Sequence, residues 1–495
     1  MLGAVGALLP RGPTGWEPTQ TSARTMMNVR SEEDFFMGEL RRQRVMRRLA
    51  ALALATTMLG LAACGGSATQ APSTPASAAP SAPASAAPVS TKPEAATLEL
   101  WLGGILTTAT PGTPYETWVN NVIKRFKEAN PGSDVKFTLL PSNNDQLAAQ
   151  VQAAFASKKV PDVMMLYSGA YTTAYEGGLR RINDYVTATP GMWDGMILWD
   201  GACVGFDCKG GAGEIVGVPV ESYQFMLWYR KDLLEKAGIA GPPKTMDELY
   251  AQCAKLNAAG ITPMVYGDRD GYTSSNMLTT NITSYFDPGD AQKLAAGQMK
   301  YTDPKVVNAL KAIVALKEHK CVAADSSTRE QLDAANDIVT GKAAYMEGQP
   351  QFYPYFKDIT DKLGVGLIPY SGTGPLSSKN SSFSGDNWVI PKAAVHPELA
   401  WEFIKLASDE TAGGEMIDAL GAPPANKAAA AKISNPFIKY IAEQTQNYGM
   451  PILDSVMPNP VALVWYRELQ QAFAGAMTPE EALAAIQAAQ DQQGP

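Results

Sequence analysis

The chain has 495 residues, of which 45% are hydrophobic and 18% charged, with a net charge of −8, two histidines and five cysteines. The acidic balance weighs against nucleic acid as a partner. Two histidines, with no GxSxG, HExxH, Walker or dinucleotide fingerprint, weigh against most catalytic chemistries.

Residues 1–45 show no clear periodicity, and translation is expected to start at Met46 or Met37. Arg47 and Arg48 precede an apolar run over 49–63, a basic region followed by a hydrophobic region of secretory type. At about 15 residues the run is shorter than the roughly 20 that a hydrocarbon core demands, so it reads as a signal. Ala62 and Ala63 fit a signal-peptidase site, and Leu61-Ala62-Ala63-Cys64 resembles the lipobox of bacterial lipoproteins. That resemblance implies a signal peptide over 1–63 and a lipid on Cys64, the first of 432 mature residues, held outside the cytoplasmic membrane at the cell surface or in the periplasm. Residues 1–63 carry eight arginines and five acids, so their removal deepens the net charge from −8 to −11. A chain of the remaining length can build two lobes with sizeable cores. Residues 67–93 are almost wholly Ala, Pro, Ser and Thr, which cannot bury enough apolar surface to fold, so 64–96 reads as a lipidated Ala/Pro/Ser tether.

Beyond it, TLELWL over 97–102 alternates like a strand and ends at Gly103-Gly104, where ligand or backbone is expected to approach. Thr113-Pro114-Tyr115-Glu116 is a capping box opening a helix with Trp118, Val119, Val122, Ile123 and Phe126 on one face. A strand over 135–140, a helix around 147–156 and a strand over 163–166 follow. This βαβαβ alternation predicts a mostly parallel sheet with a ligand crevice at the carboxyl ends of its strands. Further on, Thr245 and Thr478 open helices by the same cap chemistry, and Asp303-Pro304 caps a helix whose apolar face reads as core.

The run through Asn130-Pro131-Gly132, Pro161-Asp162-Val163 and Gly177-Gly178-Leu179 resembles the lobe-one pattern of extracellular solute-binding proteins of ABC importers, the group that includes maltodextrin-binding proteins. Gly217-Val218-Pro219 followed by 227–233 (LWYRKDL) resembles that family's first hinge crossing. Thr245 to Leu249, Gly341 to Ala344 and His396 to Ile404 are further family-like stretches, in family order. The resemblance spans roughly 97–490. It implies an α/β, two-lobed periplasmic-binding-protein fold with three hinge crossings and a ligand cleft between the lobes. Lobe one is expected over 97–219 plus 385–425, and lobe two over 222–370 plus 426–490.

An exported chain sits where disulfides persist. Cys203 and Cys208 enclose four residues and are expected to pair; Cys253 and Cys321 read either as a second disulfide or as two buried free thiols. A metal site is not expected, since neither histidine has a neighbouring ligand pattern, and no cofactor is implied.

A saccharide presents C–H faces to aromatic rings and hydroxyls to planar polar side chains, so aromatics interleaved with acids and amides are the candidates. These are Tyr167, Ser168 and Tyr171 after the third strand, Glu221 and Tyr223 at the hinge, Asp270 and Tyr272, Glu347 and Gln349, Asp386 and Asn387, and Trp465. Trp465 also has helical neighbours Leu469 and Phe473, which suggest burial, whereas its Trp-Tyr pairing with Tyr466 resembles a sugar platform. Pro350 departs from relatives that place Trp there, and Trp101, Trp228 and Trp401 read as core. The implied function is capture of a mono- or oligosaccharide by a lipid-anchored monomer that hands it to ABC permease subunits. The alternatives are a polyol, phosphodiester or amino-acid derivative as solute, or a glycosidase or adhesin.

Overall fold

The computed structural model describes residues 93–493 apart from 142–143, 205–207, 209–212, 270 and 384, so the signal segment and Cys64 lie outside the described residues. In chain order its strands are β1 (Thr97–Leu102), β2 (Asp134–Leu139), β3 (Val163–Tyr167), β4 (Val218–Pro219), β5 (Tyr223–Gln224), β6 (Met226–Arg230), β7 (Thr262–Val265), β8 (Ala343–Gly348), β9 (Leu363–Gly366), β10 (Asn380–Phe383), β11 (Asp386–Val389) and β12 (Tyr448–Pro451). The first sheet has the order β2-β1-β3-β11-β4, the second β7-β8-β6-β9, and a small third sheet β12-β10-β5.

β1 pairs in parallel with both β2 and β3, as the βαβαβ pattern predicts. β11 then returns antiparallel between β3 and β4. Its first residue therefore lies at the carboxyl ends of β1 and β3, the edge where an open α/β sheet binds ligand. Leu98, Leu100 and Leu102 alternate inward against the helix Pro114–Ala129, whose Trp118 ring stacks on Trp388 at 6.5 Å and donates from Nε1 to the Ala412 carbonyl at 2.8 Å. Asp162 ties two elements together. Its carboxylate accepts the backbone N–H of Glu99 at 3.0 Å and those of Val395 and His396 at 3.1 and 2.9 Å, joining β1 to the start of the helix Pro397–Ala407.

In the second sheet Arg230 explains two of the family-like stretches at once. Its guanidinium holds Asp232 at 2.7 Å and donates to the Ile338 carbonyl at 2.7 Å, satisfying the C-terminal end of the helix Gln331–Val339. Gly341, at φ +73°, follows so closely that a Cβ there would lie 3.0 Å from the same guanidinium. Trp228, fully buried, packs on Phe356 and Phe437. The helix Tyr272–Thr283 departs from ordinary patterning. Every residue from Thr273 to Thr283 is buried, although most are Ser, Thr or Asn. Several of these are satisfied locally: Thr273 donates to the Gly267 carbonyl, Ser274 to Asp268 and Asn281 to the Pro369 carbonyl.

The chain passes between the first and second sheets at 220–222, just before Asp386 and just after 420. The passages are bonded side by side: Val220 N–H to the Asp386 carbonyl, Ala425 N–H to the Val220 carbonyl and Ser222 N–H to the Pro423 carbonyl, at 3.0, 2.9 and 2.8 Å. Disulfides join Cys203 to Cys208 and Cys253 to Cys321, so the second pair is a bridge and not two free thiols. Among the described residues no helix is long and apolar enough to cross a membrane.

Candidate functional site

The carboxyl end of β1 is Gly103-Gly104, and what approaches it is a carboxylate. Gly104 has φ +55°, and a Cβ there would overlap Asp386 Oδ1 at 1.7 Å. Asp386, wholly buried, accepts the Ile105 N–H at 3.1 Å through Oδ2 and has Glu221 as a side-chain neighbour. Burial pushes Asp386 upward. Asn387 is next in the strand and faces the other way. Its amide donates to Thr172 Oγ1 at 3.2 Å and to the Gly201 carbonyl at 2.8 Å, holding the short helix Ala170–Thr173 in place.

That helix follows β3 directly and carries Tyr171, whose ring lies 5.8 Å from Tyr167. Gly169 opens it at φ +67°, where a Cβ would meet the Ser455 carbonyl oxygen at 2.3 Å, so the backbones of 169 and 455 approach as only glycine allows. Across this approach the Tyr171 hydroxyl lies 3.2 Å from that of Tyr466, which donates to Asp454 Oδ2 at 2.6 Å. The Tyr272 ring stands 6.1 Å from Tyr466 and 5.9 Å from Phe225. Tyr272 begins its helix at Gly271, φ +77°, where a Cβ would meet the Tyr466 carbonyl oxygen at 2.0 Å. Four tyrosines, two from the β3 end and two from the second sheet's helices, thus form one half-buried cluster.

Glu347, next to last in β8, lies on the same face as Tyr345, pairs with Leu227 and acts electrostatically on Tyr266 and Tyr272. It is 3% exposed, and neither carboxylate oxygen has a hydrogen-bond partner. Burial first, and the nearby Asp268 charge second, push it well above the ordinary glutamate range. Two residues further on, Gln349 lines a cavity of about 320 Å³ with Tyr115 from the first sheet's helix and with Gln331, Gln351, Phe352 and Tyr355. Ser168, its hydroxyl unpartnered, lines a separate cavity of about 20 Å³ with Asp200, Ser382 and Tyr448. That volume suits a single water.

The structure therefore brings together Tyr167, Tyr171, Glu221, Tyr272, Glu347, Gln349 and Asp386. It sets Asn387 behind them as a strut and buries Trp465 in the core, its Nε1 donating to Ser275 Oγ at 2.7 Å. The side chain of Tyr223, and Asp270 altogether, lie outside the described residues. Tyr115 and Asp454 belong to the cavity and the cluster although no site signal in the sequence marks them, and of the platform-like Trp465-Tyr466 pair it is Tyr466 that joins the cluster. For Tyr466 a signal existed: the Trp465, Leu469, Phe473 spacing assigns Trp465 to the core face and turns its neighbour about 100° away. Among the described residues no group of His, Cys, Asp and Glu is arranged to hold a metal ion.

Asp454 supplies a pH test. Burial lifts it from 3.8 to about 6. The folded state therefore binds more protons than the unfolded state between those values, and its contribution to stability falls as pH rises through that window. Asp454→Asn, which mimics the neutral acid, should gain up to about 3 kcal/mol relative to wild type between pH 4 and pH 7. Urea unfolding at the two pH values reads this, and a constant difference contradicts it.

A profile for bacterial extracellular solute-binding proteins matches residues 109–413. An uncharacterized ABC transporter extracellular-binding protein of Pyrococcus horikoshii is 21% identical over 67% of this chain and 74% of its own length. The sn-glycerol-3-phosphate-binding periplasmic protein UgpB of Yersinia pseudotuberculosis is 22% identical over 74% of this chain and 86% of its own. Among solved structures, a chitin oligosaccharide binding protein superposes with TM-score 0.68 at 22% identity, covering 80% of this chain and 98% of that one. A maltose-bound T. maritima MalE3 gives 0.65 at 21% identity, covering 81% and 99%. These two likenesses establish the fold, an α/β architecture of two lobes.

Proposed function

The chain belongs to the bacterial extracellular solute-binding proteins, and on that premise we propose that it captures a carbohydrate between its lobes and delivers it to the permease of an ABC importer. Lobe one is taken as 97–219 plus 385–425 and lobe two as 222–370 plus 426–490, with Cys64 carrying a lipid that tethers a monomer at the cell surface or in the periplasm. The work is capture and release without turnover. The observation that carries this reading is the hydroxyl contact of Tyr171 with Tyr466, by which each lobe contributes aromatic rings to one cluster edged by acids and amides. A solute touching both halves binds the closed arrangement better than the open one, and only such differential affinity drives closure.

The name of one relative raises sn-glycerol 3-phosphate as a second reading. The surroundings of the buried acids Asp386, Glu347 and Asp454 speak against it, because among the described residues no lysine or arginine is one of the groups acting on them, and a phosphate taken out of water needs a cation to offset its charge. Thermal melting of the chain from residue 95 onward, against neutral oligosaccharides, polyols, glycerol 3-phosphate and amino acids, separates the two. A saccharide at 100 times its Kd stabilises by about 2.7 kcal/mol. Asp386→Asn and Tyr171→Phe are each expected to weaken that saccharide by about tenfold, the scale of a lost polar contact. Stabilisation by glycerol 3-phosphate alone discards the carbohydrate reading.

A further inference from the structure

Building on the carbohydrate reading, we propose that the solute carries a protonated amino group, seated between the tyrosine rings of the cluster and the carboxylate of Glu347. The rings supply negative π faces from several directions: Tyr167 and Tyr171 are 5.8 Å apart, Tyr272 and Tyr466 6.1 Å, and the Tyr171 and Tyr466 hydroxyls 3.2 Å. An ammonium ion among aromatic faces gains in proportion to its desolvation. Independently of the rings, Glu347 is 3% exposed with both oxygens unpartnered, and its strand position turns it toward Tyr272 and Tyr266. A carboxylate buried without donors is costly, and a group offering three N–H donors and a positive charge matches it better than one hydroxyl does.

Among the described residues, nothing that the structure shows near Glu347 fills that role. Asp268, the acid next to Glu347, is occupied in accepting Ser274 N–H at 2.8 Å and Ser274 Oγ at 2.5 Å. The groups acting on Glu347, Asp386 and Asp454 are burial, hydrogen bonds and another acid, and none is a lysine or arginine. The two arginines at the cavity wall have partners of their own, Arg269 with Glu330 and Arg329 with Asp337 at 2.8 Å.

With the cleft empty, burial keeps the proton on Glu347. Arrival of R–NH3+ expels that proton to solvent, so one cation replaces another and no unpaired charge is buried. Affinity for the amine then rises with pH until Glu347 ionises unaided.

Calorimetric titration tests this with matched probes: glucosamine and its β-1,4 disaccharide, each beside the neutral glucose and N-acetylglucosamine counterparts, with 1,4-diaminobutane as an amine lacking a sugar. Titrations in two buffers of different ionisation enthalpy count protons. The amino sugar should bind at least about tenfold tighter than its neutral counterparts, the scale of one charge-assisted hydrogen bond, and release up to one proton. In Glu347→Gln, nearly isosteric and checked for folding by its melting curve, the preference for the amine and the proton release should both vanish. Equal or tighter binding of the neutral sugars without proton release overturns the amine and leaves the carbohydrate reading standing. Binding of diaminobutane alone, with proton release, keeps the amine and removes the carbohydrate. An absence of response to any amine at millimolar concentration overturns the proposal.

Discussion

Trp465→Ala should lower the free energy of unfolding by about 3–5 kcal/mol, the usual range for emptying a buried tryptophan site. The side chain has no exposed surface, packs 5.9 Å from the Tyr301 ring among Leu278, Val461, Leu469 and Leu483, and places its only donor on Ser275. Truncation leaves both a large void and a hydroxyl without its partner. Near-ultraviolet circular dichroism and tryptophan fluorescence through a urea gradient report the loss. Tyr466→Phe is the natural companion: it removes a hydroxyl that meets Tyr171 and Asp454 while keeping the ring, so it should change solute affinity more than folding. A Trp465→Ala protein as stable as wild type but unable to bind would make Trp465 a platform after all.

Opening the Cys253–Cys321 bridge should cost about 4 kcal/mol, against about 2 kcal/mol for Cys203–Cys208, because loop-closure entropy grows with the logarithm of the span. The spans are 68 and 5 residues. The longer bridge also ties two elements of one core, the helix Met246–Ala258 and the segment after the helix Pro304–Glu318, where the Cys321 carbonyl accepts the Met264 N–H at 2.8 Å. Paired alanine variants of each disulfide, unfolded side by side, measure the difference. Equal losses would mean that strain or residual structure, and not chain entropy, sets the worth of both.

Local chemistry was the most legible part of this chain. The three Thr-x-x-Glu starts at Thr113, Thr245 and Thr478 all accept the N–H three residues on, at 3.2 Å each. For the first two the glutamate reaches back one residue further than a capping box requires, to Gly112 and Lys244, and only Thr478 forms the reciprocal pair. The parallel pairing of β1 with β2 and β3 followed from the βαβαβ alternation, whereas the antiparallel return of β11 beside β3 and β4 did not. The three-stranded sheet β12-β10-β5 did not either, because Asn380–Phe383 and Tyr448–Pro451 lack the β-branched or alternating character that marks a strand. They pair only because distant parts of the chain bring them side by side. The site divides the same way. Asp386 could be suspected from its place after Gly385, whereas Asp454 sits in a one-turn segment whose meaning depends on Tyr466, and no local spacing connects a turn to the helix that follows it.

The helix Tyr272–Thr283 has a consequence for how such a protein can change over time. A surface helix tolerates neutral substitutions on its wet face, but this one has no wet face from Thr273 to Thr283: Gly267, Asp268, Pro369, Ser371 and Trp465 each engage one of its polar side chains. Replacing any of these side chains by an apolar one strands a neighbour's donor or acceptor in the interior, and enlarging it meets packed backbone. Its first residue, Tyr272, belongs to the solute cleft. A change of specificity there must therefore draw on side chains elsewhere around the cleft, such as Gln349, Gln351 and Tyr355 at its mouth, where substitution disturbs little else.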